Sequence, residues 1–252
     1  MRLDAAANRL AFEVRDADLL LADFYTLSLC NYKLDKLPLP AAKNWWLGLE
    51  DAYEGLLFLH GYGDRQVGQH KGILAYNAAT INLQWQQPEL AFYGVTIDGV
   101  LALNLQGQNL KLLQTKTGTI VSQNVSLDGG ATAVASFNTV RSQACTYPML
   151  YLEGEPYYSE VCDFLKHKLK VKPVKGIEYA ETEQNIFTGF YTEDAHGNLD
   201  NTLCVFNLDG ELQLQERIAH GLSGIGSDTF IIFNHKLYFI RQRNILVVYS
   251  LT

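Results

Sequence analysis

Five carboxylates are the first candidates for chemistry: Glu50, Asp51, Glu178, Glu181 and Asp228. Each falls in a stretch that reads as the opening strand of a repeated unit. In folds built from radially arranged sheets, opening strands line a central channel. Carboxylate oxygens there suit a hard cation such as calcium, so the set supports calcium-assisted hydrolysis or lactone opening. Channel-lining polar residues bridged by water account for the same set without a metal. The six histidines offer less. His60 and His70 read as separated by a loop, and His220 and His235 fall in different strands or turns. No pair makes H-x-x-x-H and no Cys/His cluster accompanies them, so no transition-metal site is expected.

A second group of residues suits binding rather than catalysis. Tyr62, Asp64, Arg65 and His70 lie in a polar stretch, Gly61 to Lys71. Glu193, Asp194 and His196 lie in another, Thr192 to Asn201, and Arg241 and Arg243 flank a short turn. Trp45, Trp46, Phe92 and Tyr93 stand near the ends of neighbouring strands. Aromatic and arginine anchors inside a polar rim are the usual make-up of a binding patch, and all three loops are expected on one face. Gly224-Ile225-Gly226 lacks the third glycine and the helix of a dinucleotide fingerprint. Gly221 to Gly224 is one residue short of a nucleophile elbow. The Lys166 to Lys175 cluster reads as a solvated helix end.

The elements that must position these residues repeat. Lys71 to Trp85 reads as strand, polar turn and strand, with Asn77, Thr80 and Asn82 supplying the turn. Its pattern resembles the repeat of quinoprotein-type β-propellers, with Asn77 in place of the usual Asp and no Gly after Thr80. Leu110 to Ile120 repeats it around Thr117-Gly118, and Leu203 to Leu212 around Asp209-Gly210, a strong hairpin signal. The spacing of roughly forty residues is that of a four-stranded propeller blade. The expected fold is therefore all-β: a single domain, 1–252, forming a β-propeller of about six blades, with five or seven also fitting. One short helical insertion is expected at Tyr157 to Leu169, opened by Pro156. Ala133 to Thr139 is expected as a strand, after a closing turn at Asp128-Gly129-Gly130.

Trp46-x-Gly48-Leu49-Glu50-Asp51, Leu59-His60-Gly61-Tyr62, His70-Lys71-Gly72-Ile73, Ala91-Phe92-Tyr93-Gly94 and Gly224-x-Gly226-x-Asp228-Thr229-Phe230 together resemble a bacterial domain-of-unknown-function family, number 4905. The resemblance implies a fold and no activity, cofactor or site.

Composition narrows the partners. A net charge of −7 argues against a general nucleic-acid or anionic-membrane surface. The N-terminus has no continuous apolar stretch, so no signal peptide is expected and the location expected is the cytoplasm. The four cysteines are scattered and read as buried, reduced thiols. The expectation is a non-enzymatic, monomeric propeller without a cofactor, binding a protein or small-molecule ligand. The alternative is a calcium-dependent hydrolase or lactonase acting in the channel.

Overall fold

The computed structural model describes residues 1–16, 19–39, 45–64, 68–104 and 109–251, with backbone alone at 63 and 64. The chain divides into two compact units, Met1–Arg141 and Ser142–Thr252. The described residues are mostly β, arranged as several antiparallel sheets with two helices.

Three sheets build the first unit, each a meander in which neighbours in sequence are neighbours in space. The first contains β1 (Arg2–Asp4), β2 (Arg9–Asp16), β3 (Leu21–Ser28) and β4 (Leu34–Lys36). The second contains β5 (Leu47–Tyr53), β6 (Leu56–Asp64), β7 (Gln69–Asn77) and β8 (Leu83–Gln87). The third contains β9 (Leu90–Thr96), β10 (Gly99–Asn104), β11 (Leu110–Leu113) and β12 (Ile120–Val125).

Alternation of side chains decides what each face of the second sheet buries. Leu57 and Leu59 join a core with Phe24 and Leu37. Leu56 and Phe58 join another with Trp85, Val95 and Val100. The expected hairpin from 71 to 85 is present. Asn77 turns it by accepting the N–H groups of Ala79 and Thr80, both at 2.9 Å, with its side-chain oxygen. Trp85 is buried and its indole N–H donates at 2.8 Å to the carbonyl of Thr115, in the turn between β11 and β12. Gly118, at φ +68°, presses its backbone against the Trp85 ring, where a Cβ would collide with ring carbons.

The expected strand at Ala133 to Thr139 is instead part of α1 (Leu127–Ser142). Ser126 starts this helix, its hydroxyl accepting the Gly129 N–H at 3.2 Å, and Asp128 favours the positive helix end. The two glycines that read as a turn are tolerated because contact demands one of them. Gly130 is buried against Leu110, and Gly94 of β9 leaves room for Val134. Arg141 ties the far end of the helix down, making a two-pronged ion pair with Asp51 at 2.7 and 2.8 Å.

In the second unit β13 (Met149–Leu152), β14 (Val174–Glu181), β15 (Asn185–Glu193), β16 (Leu199–Asn207) and β17 (Leu212–Leu222) form a five-stranded meander. A last sheet has β18 (Phe230–Phe233), β19 (Lys236–Arg241) and β20 (Ile245–Ser250). The expected helix is α2 (Pro156–Leu169), with Pro at its start and Lys170 closing it in the left-handed region. The expectation of one helical insertion is thus corrected to two helices. The region expected as a fourth blade supplies α1 and the edge strand β13. No helix among the described residues is long and apolar enough to cross a membrane.

Candidate metal centre

The site lies on the second sheet and begins with an irregularity in β5. Leu49 pairs with Leu59 and Asp51 with Phe58, so Glu50 is an extra residue with no partner of its own. Such a bulge re-aims side chains and is common beside functional sites. Here it leaves two successive carboxylates at one face of the sheet. Asp51 meets Arg141 there. Glu50 reaches along the face to two imidazoles.

His60 and His70 come together because both ends of the polar stretch 61–71 are strand. β6 continues to Asp64 and β7 starts at Gln69, with Tyr62 opposite His70 and His60 opposite Ile73. Leu56, Phe58, His60 and Tyr62 alternate onto one face, and His70 arrives beside them from β7. The expected loop Gly61 to Lys71 is strand at both ends, 65–67 lying outside the described residues, and register brings the two histidines side by side. The imidazole rings stack with centroids 3.5 Å apart and planes 10° from parallel. Tyr62 stands edge-on to both, at 4.8 Å from His60 and 5.4 Å from His70. Trp46 packs edge-on against Tyr62 at 6.4 Å.

His60 is 5% exposed. Its ring lies over Gly48, which pairs with it across β5 and where any Cβ would overlap the imidazole. The His70 Nδ1 forms a 2.8 Å hydrogen bond with Glu50 Oε1. The His60 Nδ1 is also 2.8 Å from that oxygen, while its buried Nε2 has no hydrogen-bond partner among the described residues. A buried polar group without a partner costs about 1–3 kcal/mol and calls for an explanation, a bound ion being one. Burial works against the charge on Glu50. The nearby His60 and then His70 outweigh it, holding the carboxyl below its ordinary value. Glu50 is therefore an anion at neutral pH, facing two nitrogen donors.

One ligand atom from each of Glu50, His60 and His70 lies within 4.8 Å of the others. Two imidazoles and a carboxylate match borderline metals such as zinc rather than calcium, which prefers oxygen alone.

The other anticipated residues divide between the two units. Asp51 is committed to Arg141. Trp45 lies beneath the Arg15 guanidinium, 5.4 Å from its ring centre. Phe92 packs on Phe58 as part of the core, and Tyr93 is half-buried. The Asp64 side chain and Arg65 lie outside the described residues. Glu178, Glu181, Asp228, Glu193, His196, Arg241 and Arg243 belong to the second unit. There, Glu178 is fully buried and accepts the Thr229 N–H at 3.1 Å together with the Thr229 hydroxyl. Glu181 accepts the Tyr179 hydroxyl at 2.6 Å. Asp228 holds a left-handed backbone beside Thr229. Arg241 pairs with Glu216 at 2.9 Å, and Glu193, His196 and Arg243 are exposed. The feature that sequence reasoning missed is the His60–His70 pairing. Its signal was the alternation Leu56-Phe58-His60-Tyr62, which carries the strand into the stretch taken for a loop.

These observations define a mostly β protein with a two-histidine, one-carboxylate cluster on one sheet. Residues 3–85 match a family model described as Domain of unknown function (DUF4905). That segment contains Gly48, Glu50, His60, Tyr62 and His70. No curated protein matches the chain.

Proposed function

We propose that the protein binds a divalent transition metal of the zinc type through Glu50, His60 and His70. The observation that carries this is the buried His60 imidazole, whose Nε2 has no hydrogen-bond partner among the described residues and whose ring faces a carboxylate and a second imidazole. A metal held by three protein donors keeps a position for water or a small ligand. The more exposed side of the cluster is at His70, whose side chain is 40% exposed. The small-molecule binding anticipated for this chain would then be metal-mediated, with Tyr62 and Trp46 as the neighbouring apolar wall.

A hydrolytic reading is the second possibility, favoured by the same donor set. Two histidines and a glutamate are a ligand combination of hydrolytic zinc sites, where the metal generates hydroxide at neutral pH. It replaces calcium held by carboxylates, since Asp51, Glu178 and Glu181 already have partners in the protein.

We also infer that the successive meanders are propeller blades. In the first unit β1 packs on β5 and β5 on β9, the order in which inner strands follow one another around an axis. On this reading each of the described sheets is one blade.

The metal reading is tested by titrating chelator-treated protein with zinc in a calorimeter. One equivalent should bind, and His70→Ala and Glu50→Ala should each bind far more weakly while keeping the wild-type circular dichroism. Zinc binding that survives both changes would place the metal elsewhere and sink the proposal.

A further inference from the structure

The second unit contains a cleft unrelated to the histidine cluster. Its floor is one face of the five-stranded sheet. Tyr151 pairs with Ile177, two residues before Tyr179 on β14, so both tyrosines stand on the same side. Helix α2 forms the wall. It buries Tyr158, Cys162 and Leu165 against the sheet and turns Tyr157, Glu160 and Phe164 to the cleft. The cavity is about 380 Å³, within the range of small-molecule sites.

Its lining has a defined chemistry. Three phenol rings line it, with Tyr151 centred 5.5 Å from Tyr157 and 6.4 Å from Tyr179, their planes inclined by 36° and 34°. Aromatic faces carry negative potential. Among the described residues that line it, Glu160 is the one carboxylate and there is no lysine or arginine. Tyr179 keeps its proton, because burial and then the adjacent Glu181 push its phenol up. That proton is directed to Glu181, so this phenol presents its ring to the cleft.

We propose that this cleft binds a small organic cation of the quaternary or methylated ammonium type. A compact metal ion would have to exchange its water for a single carboxylate among phenol rings, which hard cations resist. An alkylated ammonium spreads its charge over methyl groups, loses little hydration and packs on aromatic faces. Tyr151, Tyr157 and Tyr179 supply the faces, and Glu160 the countercharge at the mouth.

The test is calorimetric titration of the full chain with choline and with its neutral isostere 3,3-dimethylbutan-1-ol. Choline should bind at one site, about tenfold or more tightly than the alcohol, since the two differ in charge and not in shape. Tyr157 is 60% exposed, so its replacement is compatible with the fold. Tyr157→Ala and Tyr157→Leu should both lose about tenfold in choline affinity, the second because it keeps apolar area and removes the ring face. Glu160→Gln should weaken choline and leave the alcohol unchanged. Equal affinity for the two compounds would reduce the cleft to an ordinary apolar groove. Absence of choline binding, or choline binding unchanged in Tyr157→Leu, would overturn the assignment.

Discussion

The imidazole of His70 lies 3.5 Å from that of His60, with the two planes 10° apart. Nitrogens in parallel rings point side by side rather than at a common centre. For both to hold one ion, a ring must turn. His60 is fixed over Gly48 and buried, so it is the anchor, and His70 on the exposed side is the ring with room to move.

Zinc should therefore raise the thermal stability of the protein. At a hundredfold excess over its dissociation constant, a ligand specific to the native state contributes about 2.7 kcal/mol. That corresponds to roughly 5–10 °C in the melting of a unit this size. A chelator should reverse the gain, and calcium should produce none. A rise of the same size in His60→Ala would show that the stabilisation comes from another site.

Gly48→Ala should destabilise the second sheet by about 1–3 kcal/mol, the usual range for overpacking. The new methyl and the His60 ring compete for one volume. The substitution should cost much less in a His60→Ala background, because the clash is gone. Urea midpoints of the four proteins measure this coupling, and additive effects would place the strain elsewhere.

Burial raises the carboxyl of Glu178 above its ordinary value despite the hydrogen bonds from Thr229. A group raised on folding contributes stability that is complete below the unfolded value, about 4.3, and is lost as the pH rises through the folded one. Glu178→Gln resembles the protonated acid and does not titrate. Relative to wild type, its melting temperature should climb between pH 4 and pH 8. A difference that stays constant over that interval would contradict the argument.

The cysteines should separate in a labelling experiment. Cys145, Cys162 and Cys204 are buried, and burial pushes the Cys204 thiol up to about 12, so these three should react slowly. Cys30 is exposed after β3 and should react first. This corrects the sequence expectation of four buried thiols. The strand containing the approach to Cys30 ends at Ser28, two residues too early to bury it. Mass spectrometry of a briefly alkylated sample should find a single modified residue.

The sheets were legible in the sequence wherever local chemistry decided them. Asn77 and Asp209-Gly210 set hairpins by their own geometry, and Pro156 set the start of α2. Where tertiary contact decided, local reasoning failed. Gly129 and Gly130 read as a turn, yet Gly130 is helical because Leu110 fills the space a side chain would need. The stretch from 61 to 71 read as a loop because it is polar and rich in glycine, yet cross-strand pairing carries it through His60, Tyr62 and His70. Glu50 was visible as a candidate ligand. The bulge that puts it on the same face as Asp51, and the stacking that gives it two imidazoles, are properties of register and leave no local mark.

The seat of Trp85 has a consequence for synthesis on the ribosome. Its indole is satisfied by Thr115, 30 residues further along the chain, and its ring is covered by Gly118. At about 5–20 residues per second, those partners are made roughly 2–6 seconds after the tryptophan. During that interval the second sheet emerges with the indole packed on Phe58 but its N–H unpaired and one ring face uncovered. A nascent chain that has emerged past Trp85 but not to Thr115 offers that indole to a chaperone, and to the wrong neighbour.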